Sequence, residues 1–219
     1  MDPDKQAEFL LKHYQDTFKH LLYHWKVRNR LFAFILAVLA LMTLDTCSPG
    51  TLANLLNAYL LKKISVPGQT VCGLNFAAIG SLIWFILLCL VIQYYQRSIH
   101  VDRQYRYLNG LEHQLCDLLG GPYITREGRA YLSRTGVYDQ SPTPATEPEV
   151  KQDQRPLLLK AVGPVYTQVF PIFLILFVAL RLKLEGFPPK GLSGGINFFI
   201  CLALIGFNCL YLVWVWRKR

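Results

Sequence analysis

His13, His20 and His24 lie seven and four residues apart, so a helix returns all three to one azimuth. An i, i+4 pair such as His20 and His24 can chelate zinc. The zinc-protease pattern also needs a Glu beside the first histidine, where this chain has Leu21, and no Cys pair lies near to complete a structural site. The other use of such a face is a polar surface or a contact between helices. His100 and His113 are the remaining histidines, and only their approach would build a metal site. No metal or cofactor is therefore assigned.

The six cysteines form no CxxC pair. Cys89, Cys201 and Cys209 fall in apolar runs and are expected to pack as small hydrophobes. Cys116 lies in a segment placed below in the cytoplasm, where thiols stay reduced. Cys47 and Cys72 lie near the opposite side and can pair only if that side is oxidising. The chain carries no GxSxG, P-loop, GxGxxG, kinase or deaminase motif. Its apolar runs hold only neutral polar groups, among them Ser81, Gln168, Asn197 and Asn208, and none of the Asp or His that an intramembrane hydrolase would use. The chain is not expected to be an enzyme. Buried amides in lipid hydrogen-bond between helices or line a wetted path. Pro164 and Pro171 are seven residues apart on one helical face, and each removes a backbone donor, which predicts a kink or a loosened ladder. Pro164, Pro171, Gln168, Asn197 and Asn208 are thus the candidate pore or gating residues.

The elements that must position these groups follow from composition. Of 219 residues, 53% are apolar and 17% charged, against about 25% charged in a soluble domain. Mean hydropathy is +0.27. Residues 31–44, 71–95, 161–180 and 192–216 are free of charge. A span needs about 20 apolar residues; the first run is short and is extended to about 28–47, with Arg28 and Arg30 at one interface and Asp45 at the other. The fold class is all-α, a polytopic membrane protein with four transmembrane helices. Trp25, Tyr94, Tyr95, Tyr211, Trp214 and Trp216 flank the runs, as rings that favour the headgroup level do.

Residues 1–30, 96–160 and 217–219 hold 18 of the 23 Lys and Arg. The positive-inside rule therefore places both termini and the long central segment in the cytoplasm. The first 24 residues mix acids and bases with no apolar h-region, so no cleaved signal peptide is expected. The formal charge of +9 is explained by topology and anionic headgroups. Direct nucleic-acid binding is not expected, because the basic residues are dispersed and no binding motif is present.

Residues 1–30 form an amphipathic helix running into the first span, with Phe9, Leu10, Tyr14, Phe18, Leu21, Leu22 and Trp25 as its stripe. Residues 96–119 continue the second span, with Val101, Tyr105, Leu108, Leu111, Leu115 and Leu118 recurring every three or four positions until Gly120, Gly121 and Pro122 end the helix. Two such stripes can cover each other as a cytoplasmic helical stalk or pair with other subunits; the first helix could instead lie flat on the bilayer. Phe18, Leu22, Tyr105, Leu108, Leu111 and Leu115 are the expected stalk-packing residues. A further short helix is expected within the 96–138 cytoplasmic region, from Thr125 to Gly136. Residues 139–156, with four prolines, form a flexible linker. It separates the first membrane hairpin, 31–95 with an interfacial helix at 51–63, from the second, 157–219.

The four-span plan, the amphipathic lead helix, VDRQYRYL at 101–108 with Leu111 and Glu112, and ITREGRAY at 124–131 resemble small four-span membrane proteins of bacterial anti-phage and CRISPR-associated defence loci. The resemblance carries over no catalytic or ligand residue. It implies an oligomeric membrane effector or sensor subunit of a defence system, acting on or reporting membrane integrity. Its partners would be the lipid bilayer, further copies of itself and a cytosolic protein. The alternative is a small channel or transporter component unrelated to defence; no buried charge or internal repeat supports it.

Overall fold

The computed structural model describes residues 3–47, 76–121, 164–185 and 191–217, and all of them except the turn at Gly120 and Gly121 are helical. The interfacial helix at 51–63, the short helix from Thr125 to Gly136, the 139–156 linker and Cys72 lie outside the described residues. Helix α1 is Pro3–Cys47, α2 is Phe76–Leu119, α3 is Phe170–Glu185 and α4 is Gly191–Arg217. A π-helical turn, Val165–Val169, leads into α3. Helices α1, α2 and α4, and the stretch Val165–Leu184 that joins the π turn to α3, are long and apolar enough to cross a membrane.

The apolar part of α1 and its polar lead are one helix of 45 residues. At 1.5 Å per residue it is about 67 Å long, against a hydrocarbon core of about 30 Å. Helix α2 is as continuous, with 44 residues. It ends where Gly120 turns to φ 69° and the Gly121 N–H donates to the Cys116 carbonyl at 3.1 Å, the six-to-one bond that closes a helix C-terminus.

The two long helices run antiparallel, because Tyr14 meets Glu112, His24 meets Arg97 and Phe32 meets Tyr94. Their shared seam keeps to heptad spacing. On α1 it passes through Tyr14, Phe18, Leu21, Arg28, Phe32, Ile35, Leu39 and Met42; on α2 through Trp84, Leu87, Val91, Tyr94, Val101, Tyr105, Leu108, Glu112 and Leu115. Steps of three, four or, at Leu21–Arg28 and Tyr94–Val101, seven residues keep to 3.5 residues per turn, the period at which two helices stay face to face.

Leu108, Leu111 and Leu115 are buried, and Phe18 and Tyr105 pack on the cluster of Leu21, Val101 and Leu108. Leu22 behaves differently from the expectation: it is exposed, and Leu21 fills the interface. The reason is the period. A broad 3.6-residue stripe admits both leucines, whereas a 3.5-residue seam continuing from Tyr14 and Phe18 admits only Leu21. Within the single chain Leu108, Leu111 and Leu115 of the α2 stripe are covered, whereas Leu118 stays exposed.

In the apolar half, α2 packs on both α1 and α4, and α3 packs on α4. One core joins Ile35 and Leu39 of α1, Trp84, Leu87 and Val91 of α2, Leu174 and Val178 of α3, and Cys201 and Leu204 of α4. Outward positions such as Phe34, Phe85, Leu176, Phe199 and Leu210 stay exposed, which suits helices whose outer faces meet lipid.

Candidate functional site

Side chains of all four helices meet at the level where the apolar halves of α1 and α2 give way to their polar halves. Tyr94 lies at the centre, with ring centroids 6.0 Å from Phe32, 5.5 Å from Tyr95 and 5.5 Å from Phe170. Phe32 also meets Tyr166 at 4.8 Å and Phe170 at 4.9 Å, both edge to face. On the other side, Tyr95 stacks on Tyr211 at 4.0 Å, and Tyr211 leads to Trp214 at 5.9 Å. Tilted and edge-on ring pairs contribute about 0.5–1.5 kcal/mol each beyond burial. The two adjacent tyrosines thereby tie α2 to three partners: Tyr94 to α1 and α3, Tyr95 to α4.

Each tyrosine also carries a hydrogen bond. The Tyr95 hydroxyl donates to Asn208 Oδ1, and Asn208 Nδ2 donates to the Leu204 carbonyl at 2.7 Å. Asn208 is fully buried, and both ends of its amide are engaged. The Tyr94 hydroxyl donates to the Tyr166 carbonyl at 3.3 Å. That carbonyl lies in the π-helical turn, where the Phe170 N–H reaches back to Val165. The next N–H would come from residue 171, which is proline. Pro171 thus withholds the donor that the π register directs to Tyr166 and the α register directs to Thr167. The hydroxyl from α2 supplies a donor in its place.

On the polar side of the aromatic junction is a basic collar. Arg97 Nη1 lies 2.8 Å from His24 Nδ1. Arginine stays protonated, so it donates, and the imidazole accepts in its neutral form with the proton on Nε2. The His100 ring stands edge-on to His24 at 4.4 Å. Burial, followed by the charges of His100, Arg97 and His20, holds the His24 pKa below the usual 6.5. Arg28 lies one turn nearer the apolar half, 6.0 Å from the Trp25 ring centre, and its Nε is buried with no acceptor among the described residues. Farther out, Tyr14 donates to Glu112 Oε1 at 3.0 Å, which gives a buried carboxylate a partner inside the pair.

The predicted site residues divide accordingly. Pro164 and Pro171 bracket the π turn, and Pro171 is buried. Asn208 is locked in the junction. Gln168 is half-buried, and Asn197 Oδ1 is buried with no donor among the described residues. The three amides do not form one cluster: eleven residues of α4, about 16 Å, separate Asn197 from Asn208. The histidines do not converge either. His13 Nε2 contacts the Tyr107 hydroxyl at 2.8 Å, His20 and His113 are exposed, and only His24 and His100 meet. No group of three His, Cys, Asp or Glu able to hold a metal exists among the described residues.

Sequence reasoning placed Tyr94 and Tyr95 at the interface but did not see that they bind the other helices; Arg97 was missed. The signal for Arg97 was its position three residues after Tyr94, one turn along the same helix face. The chain has no match among the family models, the curated proteins or the solved structures with which it was compared.

Proposed function

We propose that this chain transmits a signal between the water-side segment of α1 and α2 and its membrane bundle. It would serve as the effector or sensor subunit of a bacterial anti-phage defence system in the inner membrane. The observation that carries this reading is the unbroken antiparallel pair, which ends in a junction held by Tyr94 and Tyr95. A change in how the polar halves pack is thereby passed to α3 and α4 without crossing a flexible joint. The 18-to-5 bias of basic residues supports a cytoplasmic position for the polar halves. Phe9, Leu22 and Tyr23 expose apolar surface there, available to a cytosolic partner or a second copy. A homo-oligomer would use such residues rather than the buried Leu108, Leu111 and Leu115.

A second reading is a small channel component. The buried, donorless Asn197 Oδ1 favours it, since a water at that position would complete its hydrogen bonding.

The test is expression of the chain with and without its neighbouring genes, phage challenge, and parallel records of survival and membrane potential. Protection that needs both the chain and a neighbouring cytosolic protein supports the first reading. Ion flux in purified liposomes with no effect on phage supports the second.

A further inference from the structure

Arg28 and Arg97 lie near the level where the apolar halves of α1 and α2 give way to their polar halves, with no carboxylate partner among the described residues. Their levels follow from two contacts between the helices. His24 meets Arg97 at 2.8 Å, and Phe32 meets Tyr94 at 6.0 Å. Arg28 lies four residues from each of these α1 positions, an axial step of about 6 Å, so both guanidiniums fall within one turn of the collar. The Arg28 charge is within electrostatic reach of the Tyr94 hydroxyl.

The hydrogen bonding of this pair is incomplete. Arg28 Nη2 donates to the neighbouring Asn29 Oδ1 at 3.3 Å, and its Nε is buried without an acceptor. Arg97 spends one donor on a neutral imidazole. A buried guanidinium N–H without an acceptor is costly. Among the described residues nearby, basic groups dominate: 20–30 and 96–103 hold Lys26, Arg28, Arg30, Arg97 and Arg103 against one carboxylate, Asp102, which faces Arg106 at 3.9 Å. An anion with several acceptor oxygens would complete these bonds, and the exposed Trp25 ring beside Arg28 is of the kind that favours the headgroup layer.

We infer that Arg28 and Arg97 bind the phosphate of an anionic phospholipid headgroup at the membrane-side edge of the collar. Phosphate oxygens match the guanidinium fork and accept charge-assisted bonds from both arginines. A zwitterionic headgroup carries its own cation back into a field already made positive by five basic side chains, so an anionic lipid is selected. The lipid would then seal the collar against the bilayer and hold α1 and α2 in register beside the junction. This inference rests on the membrane reading of the four helices and is independent of any role in phage defence.

The test uses the full chain purified in neutral detergent and titrated with short-chain phosphatidylglycerol, short-chain phosphatidylcholine or inorganic phosphate, with tryptophan fluorescence as the readout. The expected result is saturable binding of phosphatidylglycerol that phosphatidylcholine and inorganic phosphate do not reproduce. Arg28→Gln and Arg97→Gln should each weaken it by roughly tenfold or more, the loss of one charge-assisted contact. Lys12→Gln, an exposed change on α1 about 24 Å from Arg28, should leave it unchanged. Equal binding of phosphatidylcholine, equal binding of inorganic phosphate, or an equal loss in Lys12→Gln would each overturn the inference. If an arginine variant does not fold, the comparison of the three ligands on the wild type still decides. Failure of the membrane reading would show separately, as a chain that leaves the membrane fraction without detergent.

Discussion

The Tyr94 hydroxyl donates across the α2–α3 boundary to the Tyr166 carbonyl, the carbonyl whose π-register donor Pro171 lacks. A side chain of one helix thus completes the backbone of another at a point where that backbone is incomplete by sequence. The two sites should be energetically coupled. Tyr94→Phe should cost about 1 kcal/mol in the wild type, the net worth of one such bond. In a Pro171→Ala background the restored N–H serves the ladder, and the same change should cost less than about half as much. Thermal unfolding of the four proteins in one detergent measures the coupling; equal costs in both backgrounds would dissolve the relationship.

Tyr95 and Asn208 make the opposite kind of pair, fully satisfied and fully internal. Tyr95→Phe leaves the amide oxygen unpaired, and Asn208→Leu leaves the hydroxyl unpaired, so each single change should cost about 1–3 kcal/mol. The double change removes both polar groups and should cost less than either single one. Additive losses in the melts would mean that the hydrogen bond is not what Asn208 contributes.

The sequence reveals these features unevenly. Four apolar runs announce four helices because length and the absence of charge suffice. Leu108 and Leu115 are readable because periodicity reports which face is buried. Leu21 against Leu22 is not, since only the partner's register separates a 3.5-residue seam from a 3.6-residue stripe. The spacing of Pro164 and Pro171 marks the weak ladder but says nothing of the tyrosine that caps it. Tyr94 and Tyr95 look alike as interfacial aromatics; which helices they bind depends on the order in which the spans pack, which no local pattern encodes.

The collar should respond to acid. Burial and the neighbouring His100, Arg97 and His20 keep the folded pKa of His24 below 6.5. The unfolded chain therefore takes up the proton first, and stability present above pH 6.5 is lost as pH falls below it. Protonation also removes the acceptor of the Arg97 bond. The thermal midpoint should drop between pH 7.5 and 5.5, and His24→Gln should flatten that dependence. A wild-type midpoint that is level over this range would contradict the neutral-imidazole assignment.

Topology is open to a direct chemical test. With both termini cytoplasmic, a thiol introduced at Gln140 in a background lacking the native cysteines should react with a membrane-impermeant maleimide only after lysis. Labelling in intact spheroplasts would place the 96–160 segment outside and remove the basis for a cytosolic partner.

Pro171→Ala links the junction to activity. The substitution returns a backbone N–H to the start of α3 and favours the α register over the π turn. Helix α3 then becomes stiffer at the point where α2 holds it through Tyr94. If signals pass from the polar halves of α1 and α2 into the bundle, this is where they reach α3, and a turn that can shift between registers is the part able to move. Expression and membrane insertion should be unchanged, since no apolar contact is removed from the core of Leu174 and Val178. Protection against phage should fall, and any depolarisation that the wild type shows on infection should fall with it. Leu176→Ala, an exposed position on the same helix, serves as the control and should leave both readouts intact. If Pro171→Ala protects as well as the wild type, the π turn is only packing. If protection persists in wild-type cells that keep their full membrane potential, the bundle acts as an anchor or sensor for a cytosolic partner rather than as a pore.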